Sequence, residues 1–175
     1  MISKTFKIIF FLFVVSSTTV VAQETVRYTP KDKSPAEIMR YVRQAVALVM
    51  AKGDGAYAEL TDPNGPWVDG SWYLYINDYN GNIVAHLNKK LVGKNMYGVR
   101  DVKGNAFYAQ LQKNARSKRG YGWTEFWWPK PDLIEPAQKV GFVMNVPGKG
   151  VWVGTGIYDM KQADIDKMLK EQAGE

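Results

Sequence analysis

Side chains suited to ligand binding are concentrated between Trp72 and His86. Tyr73, Tyr75 and Asn77 alternate with apolar residues. Because strand side chains point to opposite faces with period 2, these three are predicted to share one face of a strand. The single histidine, His86, ends the segment that follows an Asn-Gly turn. Hydroxyls, an amide and an imidazole on one surface can hydrogen-bond a small molecule, so the pattern predicts a binding wall without obvious reaction chemistry.

The sequence around this predicted binding wall lacks the motifs that are typical of enzymes. A Ser-His-Asp mechanism would need His86 as the base, but no Gly-x-Ser-x-Gly turn presents a nucleophile. The absence of cysteine excludes thiol catalysis and disulfides, and with one histidine it argues against a zinc site. No phosphate-binding glycine loop and no EF-hand spacing occurs. We therefore expect no enzyme activity, no cofactor and no metal.

The N-terminal residues predict export. Lys4 and Lys7 precede a short apolar run over residues 8–15, and small residues suited to signal peptidase follow. We predict a signal peptide over residues 1–22 and a periplasmic or secreted protein, with a retained anchor as the alternative. The formal net charge of +6 falls to +4 when both lysines leave with the leader. This mild excess favours an anionic ligand and does not indicate nucleic-acid binding.

The elements around the wall follow from periodicity and turn residues. After an extended segment over residues 23–33, Ser34 and Pro35 predict a helix start, with Glu37 completing a capping box, and apolar residues at helical spacing continue to Lys52. Strands are predicted over 71–77, 83–87, 121–128, 139–146 and 151–158, with a middle helix over 105–118 and a closing helix over 161–172. Helices and antiparallel strands in this order predict an α+β fold in one domain over residues 34–175.

Six short segments occur in the order found in a known family. They are Tyr73–Asp78 with Gly81 and His86, Leu91–Asn95, Asp101–Asn105 with Phe107, Gly122–Pro131, Lys139–Val143 and Trp152–Tyr158. On these residues the chain resembles a single Cache domain, the extracytoplasmic PAS-like sensor module of bacterial chemoreceptors and histidine kinases. The resemblance implies a five-stranded antiparallel PAS-like sheet packed on a long N-terminal helix. It also implies a small ligand, often a short carboxylic acid, between the sheet and its loops.

The family's usual pocket positions fall on six residues of this chain, namely Tyr73, Tyr75, His86, Phe126, Trp128 and Lys139. Lys139 could neutralise a carboxylate, or it could be a strand-end lysine that reaches solvent. His86 could donate to a ligand and change charge with pH, or it could bond a backbone carbonyl. The chain departs from the family at Leu87, commonly proline, and at Phe126 and Phe142, commonly tyrosine.

The sequence therefore predicts an exported, stand-alone Cache-type protein that binds a small organic molecule such as a short carboxylate. With no receptor segments in the sequence, we expect a soluble carrier or a partner subunit of a membrane receptor or histidine kinase. The alternative is a structural or protein-interaction module whose pocket is filled by its own side chains. Gly154 and Gly156 share a strand face, so either the N-terminal helix or the ligand is expected to pack closely on bare backbone there, and we predict the helix.

Overall fold

The computed structural model describes residues 26–174, so the predicted signal peptide at 1–22 lies outside the described residues. A five-stranded antiparallel sheet has the order β2-β1-β5-β4-β3. Its strands are β1 (Tyr75–Asp78), β2 (Ile83–His86), β3 (Tyr121–Pro129), β4 (Pro136–Val146) and β5 (Val151–Tyr158). The helices are α1 (Pro35–Lys52), α2 (Ala56–Leu60), α3 (Phe107–Ala115) and α4 (Gln162–Ala173). The predicted α+β class and five-stranded sheet are confirmed.

The start of α1 is capped as predicted, but by only half of a capping box. Ser34 Oγ accepts from the Glu37 N–H at 3.4 Å. The Ser34 N–H donates instead to Asp32 at 2.8 Å, and the Glu37 carboxylate accepts from the Lys31 N–H and pairs with Arg40 at 2.8 Å. The predicted bond from the Ser34 N–H to the Glu37 carboxylate is wrong, because that N–H donates to Asp32, two residues before it, instead.

The two faces of the sheet carry separate cores. The face that bears Leu74 and Ile76 packs on α1, while the face that bears Tyr73 and Tyr75 packs on α3 and the loops before it. The predicted alternation along this segment is therefore confirmed. Among residues 26–174, no helix has both the length and the apolar character that a membrane span requires.

The middle helix is shorter than the predicted 105–118 because its first residues belong to a turn. The Asp101 carboxylate accepts from the backbone and side-chain amides of Asn105 at 2.9 Å each. It also accepts from the Trp127 N–H at 3.1 Å, which ties the turn to β3. This anchoring fixes where α3 begins and how it lies over the sheet.

Three glycines leave the α3 face of the central strands bare. A Cβ on Gly154 would lie 2.5 Å from the Tyr75 ring, and one on Gly156 would lie 2.2 Å from Lys139 Cε. A Cβ on Gly141 would lie 2.8 Å from a ring atom of Phe126. The prediction that Gly154 and Gly156 admit the N-terminal helix is wrong, since both face away from α1 and receive side chains of the opposite core.

Replacing Gly154 by alanine is expected to destabilise the protein, because the added methyl group overlaps the buried Tyr75 ring. Overpacking of this kind costs about 1–3 kcal/mol in the free energy of unfolding. Urea denaturation measures it. Gly98→Ala is the matched control, since a Cβ there meets no atom within 4 Å. Equal stability of the two variants would show that Tyr75 does not depend on a bare strand beneath it.

Candidate functional site

A cavity lies between the glycine-lined face of the sheet, α3 and the loops that precede it. All six residues predicted for the site line this cavity: Tyr73, Tyr75, His86, Phe126, Trp128 and Lys139. The centre of a water-sized sphere can occupy about 40 Å³ of this cavity. A single water needs about 10–15 Å³ on this measure, so the cavity holds roughly three waters. The structure therefore brings the predicted residues together around a small space.

Among residues 26–174, Lys139 is the only lysine that lines this cavity, and it is 1% exposed. β4 begins at Pro136, so Lys139 is inside the strand, and the alternative of a strand-end lysine in solvent is excluded. Its Nζ donates to Tyr73 Oη at 2.8 Å and to Tyr158 Oη at 3.4 Å. It also lies 4.3 Å and 4.6 Å from the centres of these two rings, within cation–π range.

The ammonium of Lys139 has no carboxylate partner among the described residues. Burial lowers the pKa of Lys139 to about 7, because the charged form loses hydration that hydroxyls and rings only partly replace. The lysine is therefore half-charged near neutral pH, and a negative group placed beside it would restore its positive charge.

The two tyrosine hydroxyls form a directed chain that holds Lys139 in place. Tyr158 Oη donates to the Pro129 carbonyl at 2.6 Å, so Tyr73 Oη donates to Tyr158 Oη at 3.1 Å. Both hydroxyl oxygens then remain acceptors for the lysine. Burial raises the pKa of Tyr73 to about 12, which keeps its hydroxyl protonated at neutral pH.

His86 is a neutral donor at the same end of the cavity. Its Nδ1 accepts from the Asn88 N–H at 2.8 Å, so the proton of the neutral ring is on Nε2. Burial, followed by the positive charges of Lys139 and Lys89, lowers the pKa of His86 to about 3. The expectation that its charge follows physiological pH is wrong, and its backbone partner is an N–H rather than the expected carbonyl.

Aromatic rings form the apolar wall. Phe126 stacks on Phe107 of α3 with ring centres 4.6 Å apart and planes 11° apart, and Trp128 tilts against the same ring at 5.7 Å. Tyr75 packs against Gly154, and its hydroxyl donates to the Thr155 carbonyl at 3.3 Å. These contacts form a mostly apolar wall next to the cation, since Phe126 is the cross-strand partner of Lys139 and its ring centre lies 6.0 Å from Nζ.

Several cavity residues were not assigned by sequence reasoning. The sequence places Asn77 in the predicted binding wall but not among the six site residues. Beside the cavity, Tyr158 is the cross-strand partner of Lys139 and accepts from its Nζ. It lies two residues past Gly156 on the same face, a placement that period-2 alternation indicates. The others come from β2, α3 and the loop between them, where no local pattern indicates which side chains meet the sheet: Ile83, Met96, Phe107, Tyr108 and Leu111.

A wider groove of about 780 Å³ adjoins the cavity and shares Tyr73, His86 and Trp128 with it. Lys89, Lys90 and Lys130 lie along this groove. Asp132 is the one acidic residue that lines it within residues 26–174. A positive rim raises the local concentration of anions. No group of three or more potential metal-ligating side chains occurs in the described part of the chain.

The family model of single Cache domain 2 matches residues 14–173. The methyl-accepting chemotaxis protein McpP of Pseudomonas putida is 30% identical over 101 residues, and the sensor histidine kinase MctS of Rhizobium johnstonii is 34% identical over 88 residues. These matches cover 57% and 49% of this chain. In each case they cover 18% of the relative, so the chain matches about a fifth of the length of these proteins.

Two solved structures share the fold. A periplasmic sensor domain of a chemotaxis protein is 28% identical with a TM-score of 0.64, over 71% of this chain and 94% of that one. A Cache chemosensory domain described as recognising carboxylic acids is 25% identical with a TM-score of 0.62, over 71% and 92%. The fold and the family match agree, and the chain belongs to the single Cache domain 2 family of sensor domains.

Proposed function

We propose that this domain binds a short organic carboxylate in the cavity beside Lys139. The observation that carries the proposal is a fully buried lysine ammonium with no carboxylate partner among the described residues. Hydrogen bonds between two charged groups are about twice as strong as neutral ones, so an anion is the ligand that gains most from this site. The similar Cache domain described as recognising carboxylic acids supports the same class.

The donors at the cationic end suit a carboxylate. The ammonium has three N–H groups, and the hydroxyls of Tyr73 and Tyr158 accept two of them. The third N–H and the Nε2–H of His86 remain for two ligand oxygens. Phe126 and Trp128 then face the carbon chain of the ligand. A space for roughly three waters suits a molecule of about four to six heavy atoms.

In the cell, this binding would serve sensing rather than catalysis. The domain would act outside the cytoplasm after export by the predicted leader, as a ligand-binding protein that works with a membrane receptor or histidine kinase. The names of the relatives support this setting, since one is a chemotaxis receptor and the other a sensor kinase. Neither a catalytic group nor a cofactor has a role in this proposal, and Tyr73, Tyr75, His86 and Lys139 supply its polar contacts.

Short carboxylates are expected to stabilise the wild-type protein, and Lys139→Met is expected to bind them at least tenfold more weakly, about 1.4 kcal/mol. Methionine keeps an apolar stem of similar length, and Tyr158 Oη retains its bond to Pro129. Acetate, propanoate and butanoate would be tested by thermal shift and then by calorimetry. A ligand at one hundred times its Kd adds about 2.7 kcal/mol of stability.

Lys90→Met is the control for this experiment, because Lys90 lies in the outer groove and not in the cavity. Its affinity should stay within about threefold of the wild-type value, as expected for a solvated charge. Unchanged binding by Lys139→Met would remove Lys139 from the site. No stabilisation by any acid, amino acid or amine would favour a pocket filled by its own side chains.

Affinity for the carboxylate is expected to fall as pH rises above about 7. The free protein has a lysine pKa of about 7, and a bound anion raises it, so binding takes up a proton above that pH. The dissociation constant should increase by up to tenfold per pH unit there and stay flat between pH 5.5 and 6.5. Calorimetry from pH 5.5 to 9 measures this. The residual binding of Lys139→Met should show no such slope, and a slope in that variant would assign it to another group.

His86 is expected to remain neutral down to about pH 4, with its proton on Nε2. Because the sequence contains one histidine, its ring signals in a ¹⁵N-labelled NMR spectrum are unambiguous. The lowered pKa also means that the stability His86 contributes is complete above about pH 6.5 and is lost as pH falls towards 3. A titration midpoint near 6.5 in the folded protein would contradict this burial.

A further inference from the structure

Two buried polar side chains that line the cavity have groups without a protein partner. Asn77 is 1% exposed, and neither its Nδ2 nor its Oδ1 has a hydrogen-bond partner among the described residues. Tyr108 of α3 is 3% exposed, and its Oη likewise has none. Both side chains line the same cavity as Lys139. Burying a polar group without a hydrogen-bond partner disfavours folding. A contribution to stability therefore does not explain why these two residues occupy buried positions.

Asn77 lies towards the opposite end of the cavity from the cation. Its cross-strand partner on β5 is Trp152 near the start of that strand, whereas the partner of Lys139 is Tyr158 at its end. Asn77 follows Tyr73, which holds the ammonium, by four residues on the same face. Tyr75 lies between them along the chain, and all three side chains line the same cavity, so a ligand over the Tyr75 ring would lie between the two polar ends.

The charge around Asn77 favours an uncharged group. Within the described part of the chain, Lys139 and His86 at the other end are the only basic side chains that line the cavity. The negative charge of neighbouring Asp78 adds to burial in raising the pKa of Tyr108, which places a carboxylate near this end. A second carboxylate on the ligand would be repelled here. An amide and a phenol both donate and accept, and they therefore match a hydroxyl or an amide.

We propose that Asn77 and Tyr108 form a second polar subsite that recognises an uncharged hydroxyl or amide on the ligand, at the end away from its carboxylate. This inference rests on the proposed carboxylate site. It makes the ligand a bifunctional acid rather than a plain alkanoate, because a second hydrogen-bonding group on the ligand would provide both buried side chains with a partner. A site that hydrogen-bonds a ligand group discriminates against analogues that lack it.

Two acids of equal heavy-atom count test the subsite. 3-Hydroxypropanoate and butanoate differ only by a hydroxyl in place of a methyl group, and malonate places a charge at the same end. Calorimetry should show that wild-type protein binds 3-hydroxypropanoate about fivefold or more tightly than butanoate, as one or two buried hydrogen bonds allow. Malonate should bind more weakly than either. Asn77→Leu and Tyr108→Phe should each lose the preference, so that the ratio of the two affinities measured in the same variant falls to about one.

The stability of the free variants separates a ligand-binding role from a structural one. Removing an unpartnered buried amide should leave the melting temperature of Asn77→Leu unchanged or raised, whereas a structural amide would lower it. Tyr108→Phe removes one oxygen only, so it tests the proposal even if Asn77→Leu fails to fold. Tyr97→Phe is the matched control, since Tyr97 is exposed and should change neither affinity nor stability.

The outcomes distinguish this inference from the proposed function. If wild-type protein binds butanoate as tightly as 3-hydroxypropanoate, the second subsite is wrong while the carboxylate site stands. If both variants keep the wild-type preference, Asn77 and Tyr108 do not make the discriminating contacts, and the inference is overturned. If no acid binds the wild type, the proposed function fails and this inference fails with it.

Discussion

The burial of the Lys139 ammonium within a sheet is the constraint on which the cavity depends. A pKa lowered from 10.5 to about 7 corresponds to a penalty on the order of 5 kcal/mol for charging this side chain in the fold. The hydroxyls and ring faces of Tyr73 and Tyr158 offset part of the lost hydration. Replacing such a lysine by an apolar residue would relieve the penalty, so its presence fits the proposed ligand-binding role better than a contribution to stability.

The fold offsets this penalty because the two faces of the sheet have different roles. On one face, α1 packs its apolar stripe on β4 and β5 and forms a core without buried charge. On the other face, the same two strands present glycines and Lys139 to the cavity. A ligand beside Lys139 would therefore contact one face of strands that pack on α1 through the other face. The core with α1 holds these strands in place beneath the cavity.

The cavity is polar at its two ends and apolar between them. Lys139, Tyr73 and His86 provide charge and donors at one end, and Asn77 provides an unpartnered amide at the other. The neutral state of His86 follows first from burial, which lowers its pKa, and then from the positive charge of nearby Lys139, which would repel a second cation. The site therefore places a single cation where an anion can reach it, with fixed neutral donors around it.

The sequence by itself determined most of the elements and the face on which each strand residue lies. Alternation with period 2 is a local property of an extended chain, so Tyr73 and Tyr75 could be separated from Leu74 and Ile76 without a structure. The six pocket positions came from resemblance to a family, and the structure gathers all of them around one cavity.

Only the tertiary structure decided what each side chain meets. Whether Lys139 is buried or reaches solvent depends on where β4 starts and on Tyr158 across the strand pair. The docking of α3 over the sheet, through the Asp101 turn, brings Tyr108 into the cavity. These contacts join residues far apart in sequence, and no local spacing encodes them, because packing depends on register and helix placement rather than on neighbours along the chain.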